Sequence, residues 1–328
     1  MPHDRFRAFI DEHPEFLILS HVDPDGDAIG SCLALEGALR GIGKETVVVN
    51  ESPLPESLRF LPGSERVLLP AAAGRTFRAA FVLDCSSLDR AGSAAAALVA
   101  PDAAIANVDH HAANDGFGDP RLVNVEASST TELVAEMLEA CAIPYGPQEA
   151  QCLYVGLASD TGAFRYPNTT PHALRLAARL IEHGARPAAA ADELYGRKSE
   201  RSLRILGLAL TSLESRAKGQ VGAITISRQM FEVAHATPED ADGIVQFAKS
   251  LIGTRVGILI QETAPGEVRL SLRSDGSVDV NEVAGRFGGG GHKNAAGAKV
   301  RGDLAQVRGA VLDALDQAVN GGLPPPRR

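Results

Sequence analysis

Short hydrophobic runs alternate with helical patterns along the first part of the chain, from about residue 16 to residue 125. Each run is almost continuously apolar, which is typical of strands buried on both faces of a parallel sheet. The alternation of such runs with helices predicts an α/β sheet with right-handed crossovers. The five predicted strands are FLILS at 16–20, Thr46–Asn50, Ala79–Asp84, Ala104–Asp109 and Arg121–Val125.

The pattern changes after residue 129. Residues 129–214 are predicted to be almost entirely helical, and a second α/β unit follows, with its final helix over Leu304–Val319. A shift in composition near Pro187, followed by the charged run 196–201, indicates a domain boundary. We therefore predict a parallel-sheet domain over 1–187, a helical linker over 188–215 and a smaller α/β domain over 216–328, with a cleft between the two domains.

Composition limits the classes of protein to consider. The chain has 328 residues, of which 45% are hydrophobic and 22% charged, as expected of a globular protein with hydrophobic cores. Its net charge of −9 argues against affinity for long nucleic acid, because that binding depends on neutralising phosphates. The four cysteines lack Cys-x-x-Cys spacing, and we recognise neither a secretion signal nor an apolar run of the roughly 18 residues that span a bilayer. These features predict a cytoplasmic protein with reduced thiols.

The first strand is followed by the segment HVDPDGDAIGS, residues 21–31. It supplies one imidazole, from His21, and three carboxylates, from Asp23, Asp25 and Asp27. A proline and a glycine predict a turn, so these groups would share a small patch that is repulsive unless a cation lies in it. A solvated acidic turn is the alternative, since Asp-Gly pairs are common in turns. Taken alone, the segment favours neither interpretation.

Two later strands end in the same kind of residue. The third ends at Asp84, and the fourth ends at Asp109 and continues into His110 and His111. Ligands of open α/β sheets bind outside the carboxyl ends of the strands, so these groups would meet there if the strands are neighbours. Simpler explanations exist: Asp84 could cap a helix, and one imidazole of the pair could be packed while the other is exposed. The repetition at three strand ends favours a shared site. For Asp160, at the end of a later helical pattern, the local sequence instead favours a role in ending the helix.

Five motifs together resemble those of the DHH phosphoesterase family. HVDPDGDAIGS, VLDCSSLDR, the DHH at 109–111 and SDTGAFRY match the four motifs of its catalytic domain, and GGGGHKNAAGA at 288–298 matches the glycine-rich signature of its DHHA1 substrate domain. The motifs follow the family's order and span nearly the whole chain. Chain length and the last motif resemble the family's bifunctional oligoribonuclease and 3′-phosphoadenosine 5′-phosphate (PAP) phosphatases, whereas the RecJ-type exonucleases carry further domains.

The resemblance implies a centre with two metal ions. One ion would be held by His21, Asp25 and Asp84, and the second by Asp27, Asp84, His110 and Asp160, with Asp84 shared. His111 would lie beside the scissile phosphate, and with Asp84 it is a predicted catalytic residue. Carboxylate and imidazole ligands without thiolate favour two Mn²⁺ ions, with Mg²⁺ or Co²⁺ as alternatives. The family usually has Asn at the position of Asp23, and the extra carboxylate would either alter metal affinity or hydrogen-bond His21.

A basic region in the second unit is the candidate substrate-binding surface. Residues 251–301 contain seven Lys or Arg against five Asp or Glu, a net of +2 in an acidic chain, which suits a small polyanion. The glycines of 288–291 could present backbone N–H groups to a phosphate, although a bare glycine run is more often a flexible loop. The predicted substrate-binding residues are Arg273, Ser274, Gly289, Gly290, Gly291, His292, Asn294 and, in the first unit, Arg165, for which a solvated surface position is an equal alternative.

As the resemblance implies, the predicted activity is metal-dependent hydrolysis of short single-stranded oligonucleotides to nucleoside monophosphates, with PAP as a second substrate. Turnover of linear dinucleotides such as pApA, derived from cyclic di-AMP, is an alternative. Manganese-dependent inorganic pyrophosphatase is another, although the final glycine-rich motif argues against it. A non-catalytic nucleotide-binding regulator would require lost ligands. We expect neither a membrane nor long duplex nucleic acid as a partner, and a homodimer is left open.

Overall fold

The computed structural model describes residues 2–321, without the side chains of Pro2, His3 and His292. The chain divides into two compact units, Met1–Arg197 and Lys198–Arg328, and the division lies within the predicted helical linker. None of the helices in the described part of the chain is long and apolar enough to cross a bilayer.

The first unit contains a five-stranded sheet in which every neighbouring pair of strands is parallel, as predicted. The strand order is β2-β1-β3-β4-β5. This order places the first, third and fourth strands side by side, so their carboxyl ends lie at one edge. The strands are β1 (Glu15–Leu19), β2 (Glu45–Val49), β3 (Phe77–Leu83), β4 (Val99–Asp109) and β5 (Arg121–Val123).

Both faces of this sheet are buried, which explains its continuous hydrophobic runs. Ile18 and Phe81 belong to one core, whereas their neighbours Leu17 and Val82 belong to the core on the opposite face. Successive side chains of a strand point to opposite faces, so a strand with two buried faces has no position for polar residues.

Two helices of the first unit, α2 (Gly26–Gly41) and α6 (Pro147–Asp160), pack closely, and glycines in them allow close contact with neighbouring helices. A Cβ atom at Gly30 of α2 would lie 2.6 Å from the carbonyl oxygen of Cys152 in α6. One at Gly156 of α6 would lie 2.3 Å from the side chain of Thr131, in the helix that begins at Thr130. The first unit contains α1 (Pro2–Glu12), α2 (Gly26–Gly41), α3 (Pro70–Ala73), α4 (Ser93–Ala96), α5 (Thr130–Ala140), α6 (Pro147–Asp160), α7 (Pro171–Glu182) and α8 (Pro187–Ala191).

The second unit contains a mixed six-stranded sheet in the order β10-β11-β9-β8-β7-β6, in which only the pairing of β7 with β8 is parallel. The sheet separates two hydrophobic cores. The strands are β6 (Glu214–Arg216), β7 (Val221–Ile226), β8 (Val256–Ala264), β9 (Glu267–Ser274), β10 (Gly290–His292) and β11 (Ala295–Arg301). The helices are α9 (Glu200–Thr211), α10 (Arg228–Ala234), α11 (Val245–Lys249), α12 (Val280–Gly285) and α13 (Leu304–Val319).

The glycine run adopts a more regular structure than the flexible loop that its composition suggests. Gly290 and Gly291 pair with Gly297 and Ala296 in an antiparallel hairpin at the edge of the sheet. A Cβ atom at Gly289 would lie 2.0 Å from the carbonyl oxygen of Gly297, so the close approach of the two chains requires glycine there.

Candidate functional site

Asp84 lies at the centre of a cluster of ionisable side chains at the carboxyl edge of the parallel sheet. It follows β3 directly, its side chain is only 3% exposed, and its backbone φ of 56° is in the left-handed region. Its Oδ1 accepts a hydrogen bond of 2.9 Å from the hydroxyl of Thr130. No helix begins at Asp84, so its role is not that of a helix cap.

The start of α2 supplies two more carboxylates. Asp25 caps the helix, and its Oδ1 accepts hydrogen bonds from the amides of Asp27 and Ala28 at 3.0 and 3.1 Å. Asp27 is completely buried, and its two oxygens accept hydrogen bonds from the amides of Thr130 and Thr131, at 2.6 and 2.9 Å, in the first turn of α5. The Gly156 position leaves room for this arrangement, because a Cβ there would lie 3.0 Å from Asp27 Oδ1.

Two histidines point their Nε2 atoms at these carboxylates. His21 Nε2 lies 3.4 Å from Asp84 Oδ2, while its Nδ1 lies 2.8 Å from the carbonyl oxygen of Val22. His110 Nε2 lies 3.4 Å from Asp160 Oδ2, 3.7 Å from Asp84 Oδ1 and 3.9 Å from Asp27 Oδ2. An Nδ1–H that donates to a backbone carbonyl leaves Nε2 available as a metal ligand, and for His21 the geometry provides that contact.

Asp160 is the last residue of α6, and the structure brings it into the cluster through its contact with His110. The local interpretation of Asp160 as a helix-ending residue is therefore incomplete, because Thr161 occupies the cap position and the Asp160 carboxylate faces the cluster. The Nδ2 of Asn168 donates to the backbone carbonyl of Asp160 at 3.1 Å and to that of Ser128 at 3.0 Å. The segment after α6 is thus tied to the residues that precede α5.

His111 is oriented by a second, buried network. Its Nδ1 lies 2.8 Å from Oδ1 of Asp109, which is completely buried, and the other oxygen of Asp109 accepts a hydrogen bond of 2.7 Å from Asn114 Nδ2. Asn114 Nδ2 also donates to Asn107 Oδ1 at 2.9 Å. The hydrogen bond that His111 Nδ1 donates to Asp109 raises the pKa of His111 to about 9, despite the opposing effect of burial. Neither Asn114 nor the roles of Thr130 and Thr131 were identified from the sequence.

The carboxylates disturb one another's protonation. Burial raises the pKa of Asp27 well above its ordinary value, and repulsion from Asp84 and Asp160 adds to the effect. Burial and repulsion from Asp25 and Asp84 raise the pKa of Asp160 to about 8. Burial of His21 opposes protonation, but its contact with Asp84 outweighs burial and raises the pKa to about 9. Asp84 differs, because burial would raise its pKa but the contacts with His21 and the other histidines outweigh burial and lower it. Without a cation, Asp27 and Asp160 therefore favour the protonated form while Asp84 stays ionised.

The donor atoms of the cluster fit divalent cations. Three groups each offer ligand atoms within 4.8 Å of one another, and Asp84 belongs to two of them. Carboxylate oxygens and imidazole nitrogens suit Mn²⁺, Mg²⁺, Co²⁺ or Zn²⁺, and a cation would relieve the repulsion that raises the pKa values of Asp27 and Asp160. The groups are His21 with Asp25 and Asp84; Asp27 with His110 and Asp160; and Asp84 with His110 and His111.

A basic groove lies on one face of the second unit's sheet. Arg269 and Arg273 lie four residues apart on β9 and therefore share one face of the sheet. Lys299 on β11 pairs with Arg269. The groove has a volume of about 610 Å³, and these three residues line it together with Gly288, Gly289 and Gly290. Arg269 and Lys299 were not predicted from the sequence. Their spacing was a signal, because Arg269 lies four residues from Arg273 and Lys299 two residues from Gly297, and even spacings along a strand put side chains on the same face.

The remaining predicted residues are placed differently. Ser274 follows Arg273 and so points to the opposite face, where its hydroxyl accepts a hydrogen bond from the Gly276 amide. Gly291 and Asn294 do not line the groove described above, and the His292 side chain lies outside the described part of the structure. Of the residues predicted in the second unit, Arg273, Gly289 and Gly290 line this groove, and the substrate-binding role of all of them stays a prediction.

Two further predictions concern the first unit. Arg165 is exposed, and its Nε donates to the carbonyl oxygen of Gly162 at 2.7 Å. Asp23 contacts the hydroxyl of Ser52 at 3.3 Å, and its backbone φ of 54° is left-handed. The Asp23 carboxylate is therefore hydrogen-bonded to Ser52 rather than to His21. An effect of Asp23 on metal affinity stays a prediction.

Comparison with known proteins agrees with the fold and the motifs. Residues 15–157 match the N-terminal domain of the DHH family, and residues 226–321 match the DHHA1 domain. A bifunctional oligoribonuclease and PAP phosphatase NrnA from Thermus thermophilus is 34% identical over 302 residues, which cover 91% of this chain and 88% of that protein. The protein of the same name from Bacillus subtilis is 28% identical over 291 residues, which cover 85% and 87%.

A solved structure extends the similarity to the whole fold. The crystal structure of an exopolyphosphatase-related protein from Bacteroides fragilis superimposes with a TM-score of 0.90 at 26% identity, and the match covers 97% of both chains. The sequence motifs, the parallel sheet with its cluster around Asp84 and these relatives agree: the chain belongs to the DHH family of phosphoesterases and carries a DHHA1 domain.

Proposed function

We propose that this protein is a metal-dependent phosphoesterase that hydrolyses short oligonucleotides to nucleoside monophosphates and dephosphorylates PAP. The observation that carries the proposal is the convergence of carboxylates and imidazoles around the buried Asp84, in groups whose ligand atoms lie within 4.8 Å of one another. The names of the Thermus thermophilus and Bacillus subtilis relatives support the substrate class.

In this proposal the cluster holds two divalent cations. Four carboxylates would balance the charge of the two ions, and the mixture of oxygen and nitrogen ligands favours Mn²⁺. When bound, the ions would supply positive charge to the phosphoryl oxygens and lower the pKa of an attacking water. One ion would be held by His21, Asp25 and Asp84, and the other by Asp27, Asp84, His110 and Asp160.

The residues of the chain have distinct tasks in the proposed reaction. Thr130 and Thr131 hold Asp84 and Asp27 in fixed positions, so the carboxylates need no rearrangement when cations bind. Asp109 holds Nδ1 of His111, which fixes the ring so that its remaining nitrogen can donate a hydrogen bond to the leaving oxygen of the substrate. In other hydrolases, too, a buried carboxylate holds the catalytic histidine in its orientation by accepting a hydrogen bond from Nδ1.

The basic groove of the second unit would bind the phosphates and sugar edges of the substrate. Arg269 and Arg273 offer planar guanidinium groups that can form paired hydrogen bonds with phosphate, and Lys299 adds a point charge. The glycines at one side of the groove let a ligand approach the backbone closely. The chain has no Trp and only four Tyr, which suits contacts with a few nucleotides better than a long stacking surface.

The proposal is tested by incubating metal-free protein with labelled oligonucleotides of about two to five residues, and with PAP, with and without added Mn²⁺. We expect nucleoside monophosphates only when Mn²⁺ is present. Asp84→Asn should reduce turnover by about 10²-fold or more, because it removes a ligand from both metal positions. Asp102→Asn is the matched control, because Asp102 is an exposed aspartate of the same unit.

The same assay separates the alternatives. Release of phosphate from pyrophosphate without cleavage of any oligonucleotide would replace the proposal with a pyrophosphatase, and a strong preference for pApA over other dinucleotides would restrict it to cyclic di-AMP turnover. If the protein binds nucleotides but cleaves none in Mn²⁺, Mg²⁺ or Co²⁺, it is a nucleotide-binding regulator and the proposal is wrong. We also propose that the protein is cytoplasmic, which is supported by four buried cysteines that are present as thiols.

A further inference from the structure

Asn107 is a polar residue in the completely buried end of β4. Its side chain is 0% exposed, and its neighbours in the strand, Ala106 and Val108, are buried and apolar. Burying an amide costs free energy unless its polar atoms are hydrogen-bonded, so an apolar residue would satisfy the packing of this strand at a lower cost. Burial alone therefore does not explain why an asparagine occupies this position.

The Asn107 amide binds the backbone on both sides of Asp84. Its Nδ2 donates a hydrogen bond of 3.0 Å to the carbonyl oxygen of Val82 and one of 3.3 Å to that of Cys85. One side chain thus connects the end of β3 to the residue that follows Asp84. The amide of Asp84 itself donates to the carbonyl oxygen of Val108 at 3.0 Å. Through these hydrogen bonds β4 fixes the backbone before, at and after Asp84.

The backbone conformation of Asp84 requires such support. Its φ of 56° lies in the left-handed region, which residues other than glycine adopt at a cost in free energy. A residue stays in a sparsely populated conformation only when the surrounding structure holds it there. A change of φ to the extended region would reorient the Cα–Cβ bond and move the carboxylate, which belongs to two of the groups of potential metal ligands.

Asn107 also connects Asp84 to the residues that orient His111. Its Oδ1 accepts a hydrogen bond of 2.9 Å from Nδ2 of Asn114, which also donates to Asp109 at 2.7 Å. Asp109 in turn accepts the hydrogen bond from Nδ1 of His111. The nitrogen and the oxygen of the Asn107 amide are therefore both hydrogen-bonded. The side chain joins the support of the predicted shared metal ligand to the support of the predicted catalytic histidine.

From this arrangement we propose that Asn107 is a positioning residue, which holds Asp84 in the left-handed conformation that its role as shared metal ligand requires. The inference rests on the dimetal centre of the proposed function and adds to it a residue that contacts neither ion. Because Asp84 would be a ligand of both ions, loss of the Asn107 hydrogen bonds should weaken binding at both metal positions. A residue that only stabilised the fold would lower the melting temperature and leave the metal affinity of the folded protein unchanged.

The test measures Mn²⁺ binding to the full-length protein by electron paramagnetic resonance, which detects free Mn²⁺ in solution. Asn107→Leu has a similar side-chain size and removes every hydrogen bond of the amide. We expect its dissociation constants for both ions to rise by about 10- to 100-fold, the usual effect of removing a hydrogen bond that orients a metal ligand. Asn107→Ser, whose single hydroxyl can donate to only one carbonyl, should show a smaller rise. Circular dichroism establishes folding, and Asn107→Ser replaces Asn107→Leu if the latter does not fold.

Leu39→Ala is the control for loss of stability. Leu39 is completely buried in the same unit, near the end of α2 and about 18 Å along the helix from Asp27 in its first turn. Its replacement should lower the melting temperature without changing either dissociation constant for Mn²⁺. Dissociation constants of the folded Asn107 variants that equal those of the wild type would overturn the proposal. An equal rise in Leu39→Ala would overturn it as well.

Metal binding is measured without substrate, so this inference and the proposed function can fail separately. If the wild type binds two Mn²⁺ ions but cleaves neither oligonucleotides nor PAP, the proposed activity is wrong. A 10- to 100-fold loss of affinity in Asn107→Leu would still support the positioning role. If the wild type binds fewer than two ions, Asp84 is not a shared ligand and the inference is wrong.

Discussion

Replacing Asp160 with Asn should have opposite effects on stability in the absence and presence of metal. In the metal-free protein the pKa of Asp160 is raised from 3.8 to about 8, chiefly by burial and then by repulsion from Asp25 and Asp84. The folded state therefore binds more protons than the unfolded state between about pH 4 and pH 8. Its stability falls as the pH rises through that window. Asn has a similar shape and no charge to bury, so it removes this penalty.

The size of the effect follows from the pKa difference. At pH 7, which is about three units above the unfolded-state pKa of 3.8, the penalty has a ceiling of about 4 kcal/mol. The side chain is 27% exposed, and nearby protonated histidines offset part of the repulsion, so we expect about 1–2 kcal/mol. For a unit of this size that gain raises the melting temperature by about 3–6 °C. The gain should shrink toward zero below about pH 3, where the carboxylic acid is neutral in both the folded and the unfolded state.

Metal should reverse the outcome, because Asn is a poorer ligand than a carboxylate. Thermal unfolding is measured at about pH 5 and pH 7.5, once with a chelator and once with Mn²⁺, for the wild type, Asp160→Asn and the exposed control Asp102→Asn. We expect Asp160→Asn to be more stable than the wild type in chelator at the higher pH and to gain less from Mn²⁺. If Asp160→Asn is destabilised in chelator and gains as much from Mn²⁺ as the wild type does, the account of the carboxylate cluster is wrong.

Four further substitutions test other parts of the structure. Asn114→Ala removes a hydrogen bond to the buried Asp109 and should cost about 1.5–3 kcal/mol in urea unfolding. It should also lower kcat with little change in KM, and an unchanged kcat would show that the His111 ring needs no such support. Arg273→Ala should raise KM more than it lowers kcat in steady-state assays if the arginine binds substrate throughout, and the reverse pattern rejects that role. Gly156→Ala should destabilise the protein by about 1–3 kcal/mol because its Cβ would overlap neighbouring side chains. Gly207→Ala in the open interior of α9 should instead stabilise it by about 0.5–1 kcal/mol, and equal effects of the two alanines would contradict the packing of α6 against α5.

The predictable part of this fold is the part in which local sequence and tertiary burial agree. β1 and β3 are recognisable because both of their faces are buried, so almost every position is apolar. The final helix, Leu304–Val319, was predicted at its observed bounds. The short strand β10 could not be predicted, because its glycines have little strand propensity and it exists only through pairing with β11.

The candidate site shows the same division. Residues directly after strands, such as Asp84, can be placed from sequence because the ends of neighbouring parallel strands must meet. Asp160 could not be placed in this way, since it is the last residue of a helix and reaches the cluster through the packing of α6 on α2. Asn114 was missed because its role depends on a turn that folds back onto Asp109, although its position three residues after His111 was a signal.

The backbone amides of Thr130 and Thr131 give the protein an anion receptor for its own Asp27. A carboxylate that accepts hydrogen bonds from peptide N–H groups keeps its position whether or not an ion is present. The donors keep their positions because they are backbone groups in the first turn of a helix. Loss of metal would therefore leave the Asp27 carboxylate in the position that metal binding requires. Reloading then amounts to simple capture of ions from solution, and inactivation by a chelator should be reversed as soon as metal is restored.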